Sequence, residues 1–330
     1  EVLQASEKSS ASAEKIFVSI ACFSDPDVVD TVKSCLKNAV NPDRGTVGIC
    51  LQAQPTDRAF DALDALPQVS VDRIDVSEAK GPIYARARCE KLMLDADYFL
   101  QIDCHSRFFR GWDDILIAEL AKASCLNGKA VLSHYPVNII NMESPEHLDR
   151  IGHVNRYRHI DVDSIKSHGA LVTLPETPIA SLGISAAMLF MSGEVRRLFP
   201  YDPELDFGLH AEEQVLYAVR LWTHGYDIFC PTRHALATDY EGSRDRIPDE
   251  VKRISNSNRA GWPQASWSKA KFLLGLDTRE QVDLVYQDSL AECIQRYGLG
   301  DERTLLDYYR YAGIHDQLRE TFPNYLYRDE

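Results

Sequence analysis

Tyr98-Phe99-Leu100-Gln101-Ile102-Asp103-Cys104-His105-Ser106-Arg107-Phe108 is a short apolar run that ends in an acid and a histidine one residue apart. A continuous apolar run of this length predicts a buried parallel strand over Tyr98–Ile102. Side chains alternate along a strand, so Asp103 and His105 leave its carboxyl end on the same side. Carboxyl ends of strands are where open α/β sheets bind ligands. An oxygen ligand and an imidazole so placed can hold one divalent ion, Mn²⁺ or Mg²⁺. Such an ion is useful beside a diphosphate. The plainer alternative is a strand end with a capping Asp and an unrelated His.

Working outward, the same kind of run recurs upstream. Ile16–Cys22 predicts a central strand, and Ser24-Asp25-Pro26 then offers a cap and a helix-starting proline. Val28–Ala39 has apolar residues at helical spacing, and Thr46–Leu51 is the next strand. Asp57–Leu66 predicts a helix, Val69–Val76 alternates like a strand, and Gly81-Pro82 opens a helix over Ile83–Leu94. This β-α-β-α-β-α-β rhythm predicts an α/β fold with a doubly wound, mostly parallel sheet. Downstream, Trp112–Ser124 predicts a helix and Ala130–Tyr135 a strand. The polar stretch from Asn138 to Leu182 predicts antiparallel strands and long loops. Ile184–Met191 predicts a strand, Glu212–His224 a helix and Tyr226–Pro231 a strand, with a helical region beyond Asp245.

Composition bounds the function. The 330 residues are 45% hydrophobic and 26% charged, which is ordinary for a globular protein of one large domain or two smaller ones. A formal net charge of −14 excludes a general nucleic-acid binder, which needs a basic surface. It also disfavours an anionic acceptor. No apolar run reaches membrane-spanning length. The polar, Ala/Ser-rich residues 1–15 lack a signal-peptide hydrophobic segment and read as a disordered tail. None of the eight cysteines forms a C-x-x-C pair, so a zinc ribbon is disfavoured. Their apolar surroundings suggest buried thiols in a reducing, cytoplasmic compartment.

Several further residues carry chemistry by type and place. The helix opened by Gly81-Pro82 presents free N–H groups that attract phosphate, and Arg86 or Arg88 can add charge-assisted hydrogen bonds to a diphosphate. The alternative is a solvated helix face. No G-x-G-x-x-G follows the first strand, which weakens a dinucleotide-dehydrogenase reading. A nucleotide base can still lie against Phe23, with Asp25 or Asp75 nearby; the alternatives are core packing for Phe23 and helix capping for Asp25. Phe207-Gly208-Leu209-His210-Ala211-Glu212-Glu213 places two acids at a helix start, where the dipole favours them. Either acid can instead face a ligand in a cleft. His234 and Thr238-Asp239-Tyr240 follow the strand Tyr226–Pro231 and are candidates for a further metal ligand from a distant loop.

Taken together, IFVSIACFSDPDVVDTV, GPIYARAR, YFLQIDCHSRFFRGWDD, YDPELDFGLHAEEQVLYAVRLWTHGYDIFCPT and YGLGDERTLLDYY resemble, in this order, the N-acetylglucosaminyltransferases that act on hydroxyproline in a ubiquitin-ligase adaptor protein. The resemblance runs from Ile16 to about Tyr309. It is also similar in plan to the polypeptide N-acetylgalactosaminyltransferases. It implies a GT-A glycosyltransferase: a Rossmann-type, mostly parallel sheet flanked by helices, over residues 16–245, with a helical C-terminal extension, residues 246–330, packed on it. It implies a UDP-sugar donor, UDP-GlcNAc, and transfer with retention to a hydroxyl acceptor on a protein, glycan or small molecule. Asp103 and His105 would be the metal ligands. Phe23, Asp25, Arg86 and Arg88 would line the UDP side with Asp103. Glu212 or Glu213 would face the donor sugar or the acceptor. Cys104, serine in most members, would point away from the ligand pair. Where the family has a His-Leu-Tyr-like triplet this chain reads Thr238-Asp239-Tyr240, so either Asp239 or His234 would take the place of that histidine, or the metal would have one protein ligand fewer. For an inverting enzyme, Glu212, Glu213 and Asp239 are the base candidates. Two other classes are compatible: another nucleotide-sugar enzyme of the same fold, an inverting polysaccharide transferase or a nucleotidyltransferase, and a catalytically inactive sugar-binding relative.

Overall fold

A computed structural model of the chain describes residues 14–205, 211–258 and 262–330. The chain opens with β1 (Ile16–Phe23), α1 (Val28–Asn38), β2 (Gly45–Gln52), β3 (Val69–Ile74), α2 (Pro82–Glu90) and β4 (Tyr98–Asp103). There follow β5 (Ser106–Phe108), α3 (Trp112–Leu126), β6 (Ala130–Ser133), β7 (Val137–Asn138) and α4 (Pro145–Leu148). A long hairpin, β8 (Arg150–Asp161) and β9 (Ser164–Thr173), precedes β10 (Ile179–Ser181), β11 (Met188–Ser192) and α5 (Gly193–Leu198). Next come α6 (Ala211–Thr223), β12 (Asp227–Cys230) and β13 (Leu236–Thr238). The rest is helical: α7 (Ser243–Arg246), α8 (Asp249–Asn258), α9 (Trp262–Leu273), α10 (Leu290–Tyr297), α11 (Leu305–Tyr311) and α12 (His315–Thr321).

Eight strands form one sheet in the order β10-β12-β6-β11-β4-β1-β2-β3. It is mostly parallel, with β11 running against β4 and β6, and β10 against β12. From β1 the chain winds out through β2 to β3, then returns to place β4 on the other side of β1. That reversal opens a crevice above the carboxyl ends of β1 and β4, the usual ligand position in such sheets. Alternation along β1 feeds both faces: Ile16, Val18 and Ile20 join one core with Phe60, Trp112 and Leu116, while Phe17 joins the other with Phe99, Tyr217 and Tyr308.

The helix expected over Asp57–Leu66 is present as a 3₁₀ helix, Arg58–Ala65. Its apolar residues Phe60, Leu63 and Leu66 recur every third position, the period of the tighter helix, and Phe60 and Leu63 are buried. The helix opened by Gly81-Pro82 stops at Glu90 rather than Leu94, its last turns closing through i→i−3 bonds from Lys91, Leu92 and Met93. The strand expected from Ile184 starts at Met188, because Ser133 Oγ takes the Ser185 N–H and donates to the Met188 carbonyl, pinning a turn there.

The C-terminal helices are held by buried polar ties. Lys269 on α9 is fully buried, with Nζ 2.8 Å from Asp202 and 2.8 Å from Glu204. Tyr308 on α11 donates to the Leu182 carbonyl (2.6 Å) and meets the Tyr157 hydroxyl. Lys269→Ala strands the buried Asp202 carboxylate, so a loss of about 3–5 kcal/mol is expected in urea unfolding at neutral pH. Burial works against the Glu204 carboxylate, but hydrogen bonds from Lys269 and Ser289 hold it below its ordinary value of 4.5. A depressed carboxyl stabilises the fold above that ordinary value and loses the effect as pH falls through its folded value. Wild type should therefore weaken more steeply than Lys269→Ala on acidification below pH 4.5; parallel unfolding curves at neutral and acid pH would refute the tie.

Candidate active site

The site is built at the ends of β1 and β4, where Ala21 pairs with Asp103. Directly after β1, Ser24 adopts a positive φ of 47°, rare for a residue with a side chain. Its N–H and its hydroxyl both donate to the Gln52 carbonyl at 3.0 Å, which holds the strained turn. The turn delivers Asp25, 2% exposed, to the exit of β4. There Asp25 Oδ2 accepts from His105 Nδ1 at 3.1 Å. His105 Nε2 is left facing Asp103, 4.0 Å from Oδ2. Thr31 of α1 staples the turn between them: its hydroxyl donates to the carbonyls of Cys104 (2.8 Å) and Ser106 (3.0 Å) and accepts from the Ser106 N–H. Arg107 adds a two-pronged bond to Asp27 at 2.6 and 2.9 Å.

Arg246, from α7, completes the cluster. It donates to Asp25 through Nε (2.8 Å) and Nη2 (3.1 Å), and to Asp239 through Nη1 (2.7 Å). Burial works against the Asp25 carboxylate, yet the bonds from His105 and Arg246 hold it below the usual carboxylate range. The Arg246 hydrogen bond brings Asp239 down to about 2. For His105 burial opposes the charged ring, but the Asp25 bond and the neighbouring Cys104 and Asp103 push it up to about 10.

This geometry fits a divalent ion. A ligating imidazole donates its other N–H to a carboxylate, which fixes ring and tautomer. Asp25 does this at Nδ1, leaving Nε2 beside a carboxylate oxygen of Asp103, where an ion would have to displace the Nε2 proton to be bound. Among the described residues the ligand-capable side chains grouped within 4.8 Å of one another are Asp25, Cys104 and His105. Of these, Asp25 is already engaged by His105 and Arg246. The bond to Cys22 and burial keep Cys104 a protonated thiol, a poor ligand. Cys104 nevertheless does not turn away from the pair, as was expected: its sulfur lies 3.6 Å from His105 Nδ1.

The other candidates divide. Arg86 is buried in an ion pair with Glu213 of α6, and the charge of Asp103 acts on it. Arg88, two residues on, faces away and grips Asp72 of β3 at 2.6 and 2.7 Å. Glu212 is buried in the first turn of α6, and Phe207–His210 lie outside the described residues. Phe23 closes β1, half-buried and paired with Gln52. Among the described residues, Asp239 joins the cluster only through Arg246 and through its N–H, which donates to the His105 carbonyl at 2.9 Å.

His234 is not brought to Asp103. β13 runs antiparallel to β5, with Thr238 beside Ser106 and Leu236 beside Phe108. His234 therefore lies four residues from Thr238, roughly 13 Å along the strand direction from the level of Ser106. Its ring packs against His134 and Phe109, at 6.1 Å from each. Sequence reasoning missed Ser24, Thr31 and Arg246. Arg246 alone carried a signal, as a cation in the charged run Glu241–Arg246 after a strand.

A wound, mostly parallel sheet with an Asp-x-His pair at the exit of its fourth strand defines a GT-A-type fold. The glycosyltransferase (GlcNAc) family profile matches residues 15–71 and 62–318, and the chain belongs to that family. No curated protein matches it. Among solved structures it is similar to GalNAc-T7 with UDP, GalNAc and Mn²⁺, at a TM-score of 0.58 and 14% identity over 92% of this chain. The chain spans 58% of the length of that protein. S. aureus TarS 1-349 in complex with UDP-GlcNAc matches at a TM-score of 0.45 and 12% identity, over 92% of each chain. The mannosyltransferase PcManGT from Pyrobaculum calidifontis, in complex with GDP-Man and Mn²⁺, matches at 0.45 and 12%, over 96% of this chain and 88% of that one.

Proposed function

We propose that the protein is a metal-dependent glycosyltransferase that moves N-acetylglucosamine from UDP-GlcNAc to a hydroxyl acceptor, with retention, as in the hydroxyproline-directed transferases it resembles. The observation that carries this is His105, oriented by Asp25 with Nε2 turned to Asp103. Asp103 and His105 would hold Mn²⁺ or Mg²⁺. When bound, the ion supplies Lewis-acid stabilisation of the departing diphosphate. Arg246 would be the cation nearest the diphosphate, with Arg86 acting from behind it in its pair with Glu213 and Phe23 toward the base. Glu213 is committed to Arg86, which suits a reaction without a protein base; the acceptor proton would pass to the leaving phosphate oxygen. Residues 16–245 would be the catalytic domain and 246–330 a packed extension that lends it Arg246.

Incubation with Mn²⁺ and a panel of UDP-sugars tests the proposal. UDP release should be fastest from UDP-GlcNAc and should stop with EDTA. If no UDP-sugar binds, with or without metal, the proposal fails. Asp25→Asn should weaken Mn²⁺ about 10–100-fold by calorimetry, the usual cost of losing a carboxylate behind a metal-bound histidine. Unchanged affinity would remove Asp25 from that role.

A further inference from the structure

A cavity of about 360 Å³ lies beside the site and takes no part in the roles above. It is tied to the metal motif by a small sheet in which β13 is paired with β5 on one side and β7 on the other. Thr238 pairs with Ser106 and also with Asn138, which lines the cavity. Two strand spacings, roughly 10 Å, therefore separate the motif from the cavity wall. Tyr240 also lines it, directly after Asp239, which Arg246 ties to Asp25. The cavity thus lies close to the Asp-x-His pair, on the far side of β13 from β5.

Its chemistry is specific. Tyr135 is seated against two glycines: a Cβ at Gly152 would come within 3.0 Å of its Cβ, and one at Gly169 within 2.6 Å of its ring. The Tyr135 hydroxyl is 3.0 Å from Ser167 Oγ, and Tyr240 donates to the Pro136 carbonyl at 2.9 Å. Both phenols are thus pinned by their hydroxyls, leaving hydrocarbon ring surface to the cavity. The lining also holds an amide, an acid and a base, Asn141, Glu146 and Arg150, whose side chains make no hydrogen bond or ion pair with any described residue. Pinned aromatic walls with free donors and acceptors of mixed charge suit a neutral ligand with many hydroxyls and apolar C–H faces. We infer that this cavity is the acceptor site and that the acceptor is a saccharide.

The inference rests on the glycosyltransferase reading above. A saccharide hydroxyl would form the new bond to the sugar C1 as the C1–O bond to UDP breaks, its proton leaving on the departing phosphate. The test offers UDP-GlcNAc and Mn²⁺ with two sets of acceptors: neutral mono- and disaccharides, and hydroxyproline- or serine-containing peptides. Products are read by mass spectrometry. Two variants are compared with wild type: Ala170→Trp, which fills the cavity, and Tyr240→Ala, which removes an exposed wall. Calorimetric UDP–Mn²⁺ binding separately reports an intact donor site and fold. Transfer to a saccharide, with its KM raised at least tenfold in both variants while UDP still binds, is the expected result. Transfer to peptides alone, or unchanged saccharide KM in Ala170→Trp, would overturn the saccharide acceptor and leave the donor reading standing. Failure of the wild-type protein to bind UDP would overturn the donor reading itself.

Discussion

Asp103→Ala should cut Mn²⁺-dependent UDP release from UDP-GlcNAc by about 10²–10⁴-fold, because metal stabilisation of a leaving group is worth several kcal/mol and each 1.4 kcal/mol is tenfold in rate. The fold should hardly notice. Among the described residues the Asp103 carboxylate makes no hydrogen bond, and its nearest ionic partner is His105 Nε2 at 4.0 Å. Thermal unfolding should move by no more than a surface substitution does, about 0.5 kcal/mol. His105→Ala should match it in rate but cost stability as well, since Asp25 loses a partner it holds at 3.1 Å. If Asp103→Ala kept wild-type release at saturating Mn²⁺, the pair would not be the metal centre.

A stability loss as large as that of Lys269→Ala is expected from Arg86 and Glu213. The two side chains are 8% and 2% exposed and bonded to each other across α2 and α6. Removing either leaves an unpaired charge in the core, at about 3–5 kcal/mol. Replacing both with apolar residues of similar size, Arg86→Met with Glu213→Leu, should recover most of that loss. Urea unfolding of the singles and the double decides the point. Additive losses would mean that the pair is not coupled. The same pairing explains why Glu213 is a poor candidate for a base: its carboxylate already belongs to Arg86.

Much of this was legible in the sequence because it is local. A continuous apolar run marks β1, and the apolar run ending in Asp103 marks β4 together with the chemistry at its exit. What was not legible depends on partners far along the chain. The direction of β11 is set by the strands it enters between, β4 and β6, and nothing in its own five residues records it. His234 was a candidate as a histidine following the strand Tyr226–Pro231, but antiparallel pairing of β13 with β5 carries it away from the motif. Arg246 is 221 residues from Asp25, and its charge run resembles any solvated surface. Arg86 and Arg88 were equivalent as letters; two steps along a helix turn them to opposite surroundings, one to Glu213 and the other to Asp72.

The three-stranded sheet β5-β13-β7 has a consequence for how such a protein diversifies. Thr238 is paired on both sides, so β5, which follows the Asp-x-His pair, and the cavity wall at β7 are held to one strand and move together. The opposite wall comes from elsewhere: Asn141 to Arg150 and the β8–β9 hairpin, one continuous insertion between β7 and β10. Selection can rewrite that insertion without moving Asp103 or His105. Relatives that serve different acceptors should thus differ most across residues 141–173 and least across 98–107 and 236–246, a pattern that an alignment of their sequences would reveal at a glance.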